Sequence, residues 1–211
     1  MAVRVKICGL TRAEHVRVAA KAGAAYIGFN HIERSPRFVS LDKTRVLAAD
    51  VPTGVAKVML VIEPDNALLD AIVAEAPIDM IQLHGKETSE RVVEVRARTG
   101  LPVIKAVGVG EAEDVGALEV YSEVADQILV DAKPPKSGDL PGGNGVTFDW
   151  RLIANRRWSV PWMLAGGLTP DNVAEAIALT GAQQLDVASG VESAPGEKDP
   201  TLIERFMAAT R

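Results

Sequence analysis

Eight short apolar runs, each followed by a segment of different periodicity, constrain this chain more than any other feature. They are VRVKIC (3–8), AAYIGF (24–29), VAKVMLVI (55–62), DMIQLH (79–84), LPVIKAV (101–107), DQILVD (126–131), VPWMLA (160–165) and AQQLDVA (182–188). Each is short and rich in Val, Ile or Leu, as strands buried on both faces are. Helical spacing fills the gaps between them. TRAEHVRVAAKAG (11–23) offers Thr11 as an N-cap with Glu14 at the capping-box position. DNALLDAIVAEA (65–76) follows Pro64 and puts Leu68, Leu69, Ile72 and Val73 on one stripe. TSERVVEVRARTG (88–100) starts at a Thr or Ser cap and stops at Gly100. TPDNVAEAIALTG (169–181) has Pro170 early and Gly181 at its end, and DPTLIERFMAATR (199–211) closes the chain in the same manner.

Strands that alternate with helices pair in parallel through right-handed crossovers. Eight strand-then-helix units predict an α/β chain folded as one closed (β/α)8 TIM barrel, a single domain over residues 1–211. An open doubly wound sheet is the alternative. It usually has fewer strands and often opens with a glycine-rich loop after strand 1, where this chain has CGLTR. No break in composition marks a domain boundary. The stretch KPPKSGDLPGGNG (133–145) is too short for one and long enough for an active-site loop.

Composition excludes several functions. Aromatic residues make up 4% of the chain and the net charge is −5. Base-stacking platforms and a basic footprint are both missing, so a nucleic-acid partner is not expected. No apolar stretch approaches the ~18 residues of a membrane span. The single cysteine rules out an internal disulfide. A soluble cytoplasmic protein is the expectation.

In a (β/α)8 enzyme the chemistry sits at the C-terminal ends of the strands. Reading those ends gives Cys8, then Arg34 and Arg37 beyond strand 2, Glu63-Pro64-Asp65, His84, Asp131, AGGL, and Asp186 with ASG. AGGLTPDNV and DVASGVE put Gly166, Gly167, Ser189 and Gly190 in adjacent loops after strands 7 and 8. Each glycine alone reads as a turn residue. Together, in those two places, they point to backbone amides gathered around a phosphate. Asp131 is either a turn aspartate or an acid. A lone cysteine more commonly packs as a small hydrophobe than reacts, and an unperturbed thiol, with pKa ~8.5, needs positive charge nearby to act as a base. Strand alternation offers that charge: if Val3, Val5 and Ile7 face the helices, Lys6 and Cys8 face the barrel interior. By the same alternation Gln127, Leu129 and Asp131 share a face, and Lys105 adds a second internal charge. Arg37 reads equally as a surface arginine or as a fork for a ligand carboxylate. His84 reads equally as structural or functional, and His15 as a surface residue.

The ordered motifs KICGLT (6–11), SPRFVS (35–40), IQLHG (81–85), LVDAKPP (129–135), PGGNGVTFDW (141–150), LAGGLTPDNV (164–173) and DVASGVES (186–193) resemble the phosphoribosylanthranilate isomerase family of tryptophan biosynthesis almost end to end. The resemblance implies a cofactor-independent barrel enzyme without a metal. Its reaction is the Amadori rearrangement of N-(5′-phosphoribosyl)anthranilate to 1-(2-carboxyphenylamino)-1-deoxyribulose 5-phosphate. By the same resemblance Asp131 is the general acid and Cys8 the general base. Arg37 holds the anthranilate carboxylate, Asp186 sits near the sugar hydroxyls, and Gly167, Ser189 and Gly190 bind the phosphate; His84 and Gly166 join the expected substrate and phosphate contacts from their strand-end places alone. Related barrels are monomers or homodimers, and the sequence does not choose between them. Two positions depart from the family's pattern: Asn30-His31, where an apolar or aromatic pair is frequent, and Ala188, where serine is common. The histidine-pathway Amadori isomerase resembles a two-carboxylate design with aspartate at the end of strand 1, and Cys8 argues against it. A catalytically dead phosphate-binding barrel would be free to lose Cys8 or Asp131, and this chain keeps both.

Overall fold

The computed structural model describes residues 3–133 and 147–211. Eight strands form one closed barrel in sequence order: β1 (Arg4–Cys8), β2 (Tyr26–Asn30), β3 (Ala56–Val61), β4 (Met80–Leu83), β5 (Val103–Val109), β6 (Gln127–Ala132), β7 (Trp162–Leu164) and β8 (Gln184–Val187). Each coincides with one of the eight apolar runs, with β2, β5 and β6 running one or two residues past its end. Neighbours pair in parallel all the way round, and β8 returns to β1 with Lys6 beside Asp186. The expected (β/α)8 barrel is therefore the observed architecture.

Side chains separate into two layers as the pleat requires. Val5, Ile7, Ile27, Phe29, Ile81, Val103, Ile128 and Val130 point outward into the main core under the helices. Tyr26, Val58, Ile104, Leu129 and Met163 pack inside the barrel as a separate cluster. Polar groups accompany that inner cluster: Lys6, Gln82, Lys105, Gln127, Asp131 and Asp186 are all buried. Alternation on β1 and β6 thus works as expected, and both internal lysines are in place.

The helices are α1 (Ala13–Ala22), α2 (Leu41–Ala48), α3 (Asn66–Glu75), α4 (Ser89–Thr99), α5 (Val115–Ser122), α6 (Val173–Thr180) and α7 (Pro200–Ala209). Short polar caps start several of them. Asp65 accepts from the amide of Leu68, Thr88 from that of Arg91, and Asp199 from those of Thr201 and Leu202. Left-handed glycines at 100 and 181 end α4 and α6.

Five expectations need correction. Thr11 does not cap α1: the N-cap is Arg12, without a side-chain bond, and the Thr11 hydroxyl lies 3.5 Å from the carbonyl oxygen of Gly196. That one-residue shift moves Glu14 off the third helical position, which His15 takes. His15 is not a surface residue either. It is 6% exposed, on the inward stripe of α1 with Val16 and Ala19. On α3 the buried stripe is Leu69 and Ile72, while Val73 is 48% exposed. Pro170 precedes α6 in a turn closed by Asn172, whose side chain bonds Thr169 and Gly167. The eighth helix is also absent from the described residues: between β6 and β7 they hold only a 3₁₀ turn (Trp150–Leu152). The expected active-site loop at 133–145 lies, beyond Lys133, outside the described residues.

A buried ion pair fastens the β4 side of the barrel mouth. Lys105 Nζ sits 2.9 Å from Glu87, with both side chains nearly inaccessible. Glu87 also accepts the amides of Glu63 and Gly85, and Lys105 donates to the carbonyls of Gly85 and Ala106. Removing one partner strands the other charge in a dry site. Glu87→Ala is therefore expected to lower the free energy of unfolding by about 3–5 kcal/mol, measured by urea denaturation. The double replacement Glu87→Leu/Lys105→Met should cost far less than that single change. Equal losses would contradict a buried paired charge.

Candidate active site

A cavity opens at the C-terminal ends of the strands. It is lined by every site residue expected from the sequence: Cys8, Arg37, His84, Asp131, Asp186, Gly166, Gly167, Ser189 and Gly190. Of the other strand-end residues, Arg34 and Glu63 are exposed, and Asp65 serves as the α3 cap.

Cys8 ends β1 and is 4% exposed. Two residues earlier, Lys6 is wholly buried and donates to Asp186 Oδ1 at 3.0 Å. Parallel register explains the pair, because Lys6 and Asp186 are ladder neighbours that both face inward. Burial opposes the Lys6 charge, but Asp186 and the neighbouring thiol outweigh it and hold the ammonium above its ordinary pKa. The thiol behaves differently from the expectation that Lys6 activates it. Burial pushes Cys8 up, the Lys6 charge pulls it down, Asp186 pushes it up again, and the balance lies above the ordinary thiol value. Because Asp186 offsets the lysine's charge, the pair gives the thiolate only part of the field a lone ammonium would give.

Asp131 stands near the end of β6, three strands from β1 around the ring. Its Oδ1 accepts the amide of Ala132 at 2.8 Å, and its Oδ2 lies 3.2 Å from His84 Nε2. Gln82 Nε2 approaches His84 Nδ1 at 2.9 Å. With the amide nitrogen in that place, Nδ1 accepts and Nε2 carries the ring proton, directed at Asp131. Gln82 Oε1 is buried without a partner among the described residues. Sequence reasoning missed Gln82, although strand alternation two residues before His84 would have put it inside the barrel.

Two loops close the far side. A Cβ on Gly190 would run into the carbonyl of Leu168, so only glycine lets loop 8 pack this tightly on loop 7. No α-helix starts beside Ser189 and Gly190. They open a 3₁₀ turn (Ser189–Val191), and the anion-facing groups on offer there are backbone amides. Ala188, at a position where serine is common in the family, takes part through its carbonyl, which accepts Lys198 Nζ at 2.8 Å. The Asn30-His31 pair has local duties. Asn30 bonds Ser35 and the amide of Ile32, and His31 bonds the carbonyl of Val39.

Arg37 is buried, and its fork is already engaged: Nε and Nη2 each donate to Glu192 at 2.8 Å. Glu192 and Lys198 were not anticipated. The Pro-Gly turn in SAPGEK (193–198) is a hairpin signal, but it does not tell that Glu192 and Lys198 at the hairpin's ends meet Arg37 and the carbonyl of Ala188, which line the cavity. Among the described residues no group of three or more His, Cys, Asp or Glu side chains is arranged to hold a metal, and no helix is long and apolar enough to cross a membrane.

Residues 5–209 match the family described as N-(5′-phosphoribosyl)anthranilate (PRA) isomerase. The N-(5′-phosphoribosyl)anthranilate isomerase of Paracoccus denitrificans (strain Pd 1222) is 60% identical over 208 residues, covering 99% of this chain and 97% of the relative. The crystal structure of phosphoribosyl anthranilate isomerase from Thermotoga maritima superposes with a TM-score of 0.89 at 34% identity, covering 99% of this chain and 98% of that one. A phosphoribosyl anthranilate isomerase in complex with reduced 1-(o-carboxyphenylamino)-1-deoxyribulose 5-phosphate superposes with a TM-score of 0.84 at 32% identity, with the same coverage.

Because the thiol is raised above its ordinary value, its alkylation by iodoacetamide should accelerate with pH through a midpoint above ~8.5. Cys8 is the only cysteine, so incorporated label reports it alone. A midpoint below neutrality would show that Lys6, not burial, governs the thiol.

Proposed function

The chain belongs to the N-(5′-phosphoribosyl)anthranilate isomerase family and catalyses that isomerisation in tryptophan biosynthesis, and we propose that it does so with Asp131 as general acid and Cys8 as general base. The observation that carries the assignment is their placement: both line one cavity, from well-separated strands, with the glycine loops on the same rim.

The chemistry needs two groups. The furanose ring opens only if its oxygen, a poor leaving group, receives a proton as the C1′–O bond breaks. Asp131 gives that proton, and the anthranilate nitrogen supplies the electron pair that forms the Schiff base. Cys8 as thiolate then takes the C2′ proton, and the electrons move into an enolamine. Protonation at C1′ and loss of the C2′ hydroxyl proton complete the ketone, 1-(2-carboxyphenylamino)-1-deoxyribulose 5-phosphate, with no net gain or loss of protons.

The surroundings support these roles. His84 touches Asp131 and orients its carboxyl group. The Lys6 ammonium beside Cys8 stabilises the thiolate as it forms, against the cost of burial. Asp186, held by Lys6 through one oxygen, turns its other toward the sugar hydroxyls. The amides of Gly166, Gly167, Ser189 and Gly190 receive the phosphate. Arg37, with Nε and Nη2 engaged, meets the anthranilate carboxylate with its Nη1 edge. The enzyme works in the cytoplasm on a small phosphosugar substrate, without a cofactor.

Asp131→Asn and Cys8→Ser should each lower turnover by about 10²-fold or more. The assay follows the fall in fluorescence of the anthranilate substrate, with circular dichroism confirming an intact barrel. Near-normal turnover in Cys8→Ser would remove the thiol from the mechanism.

A further inference from the structure

Glu192 has no part in the proton transfers above, yet it is held by more strong donors than any carboxylate lining the cavity. It starts β9 (Glu192–Ala194), which pairs antiparallel with β10 (Glu197–Lys198) across Pro195 and Gly196. The side chains of Glu192, Arg37 and Lys198 are 3%, 6% and 0% exposed. Arg37 lays its planar fork on the carboxylate, Nε to Oε1 and Nη2 to Oε2. Lys198 Nζ adds a bond to Oε1 at 2.6 Å, and the amide of Gly196 one to Oε2 at 3.2 Å. The same Nζ reaches the carbonyl of Ala188, next to Ser189. A Cβ on Gly196 would come within 2.5 Å of the Pro36 carbonyl oxygen, so the hairpin turn is seated directly on the segment that carries Arg37.

We propose that Glu192 is the positioning residue for both ends of the substrate: it fixes the Arg37 guanidinium for the ring carboxylate and, through Lys198, the backbone of the phosphate loop. The proposal rests on the reading of Arg37 given above. Two physical points favour it. An unrestrained arginine loses rotamer freedom on binding, and the fork removes that freedom in advance. Charge balance also has the right sign. An Arg37–Glu192 pair alone would be neutral and would offer an incoming carboxylate little. Two cations around one carboxylate leave one positive charge beside the cavity.

Steady-state kinetics of Glu192→Gln test the proposal, with N-(5′-phosphoribosyl)anthranilate and with the analogue lacking the ring carboxylate. KM for the substrate should rise about tenfold or more while kcat changes by less than about threefold. The analogue keeps the phosphate, so its KM should rise by a smaller factor than the substrate's, and inorganic phosphate should inhibit the variant more weakly. An unchanged KM, or an equal rise for the analogue, would overturn the proposal. If Glu192→Gln fails to fold, Glu192→Gln/Lys198→Met restores the charge balance and is measured in its place. It should keep the raised KM, and a return to the parental value would also overturn the proposal. Arg37→Ala separates the two readings. If that change leaves KM unaltered, the role given to Arg37 fails. If it raises KM while Glu192→Gln does not, only the role given to Glu192 fails.

Discussion

The ion pair between Lys6 and Asp186 stands at the seam where the last strand of the barrel meets the first. A parallel barrel has no free edge only if that seam closes. Its interior is too dry for an unpaired ammonium. Lys6 is completely buried, and Asp186 is the ladder neighbour whose carboxylate meets it at 3.0 Å. Closure of the ring thus brings Lys6 the partner its burial demands. The pair also lies beside Cys8, so the charge that satisfies the fold tunes the thiol.

That double duty explains why the thiol is not simply activated. A lysine alone in a dry site would depress a neighbouring thiol strongly, but it would not survive there as a cation. With Asp186 attached it survives, and much of its field is cancelled. Burial then dominates, and Cys8 rests protonated above its ordinary range. The same logic recurs across the cavity. Arg37 is tolerated in the interior because Glu192 neutralises it, and Lys198 restores the positive balance. Lys6 and Lys105 each have a carboxylate of their own, whereas Arg37 and Lys198 share Glu192.

Much of this was legible in the sequence. Strand alternation put Lys6 and Cys8 inside the barrel and Gln127, Leu129 and Asp131 on one inner face, because a period of two leaves no other choice once one face is buried. Strand-end position selected all nine candidate residues that line the cavity. Local cues failed where two signals competed. Thr11 and Glu14 carry a capping-box signature, yet the turn after Gly9 delays α1 by one residue and the hydroxyl faces Gly196. His15 looked exposed because it is polar, whereas its place on the inward stripe of α1 buries it.

The sequence by itself determined the barrel, its strand ends and the identity of the acid and base candidates. Those follow from local periodicity and from a fold that gathers its strand ends at one rim. The tertiary structure alone decided which charges meet: Asp186 with Lys6 from 180 residues away, and Glu192 with Arg37 from 155. Such pairings depend on barrel closure and on how a hairpin sits over a distant loop. Nothing in the spacing of a linear chain encodes either distance, so the state of the thiol and the hold on Arg37 were fixed only when the ring closed.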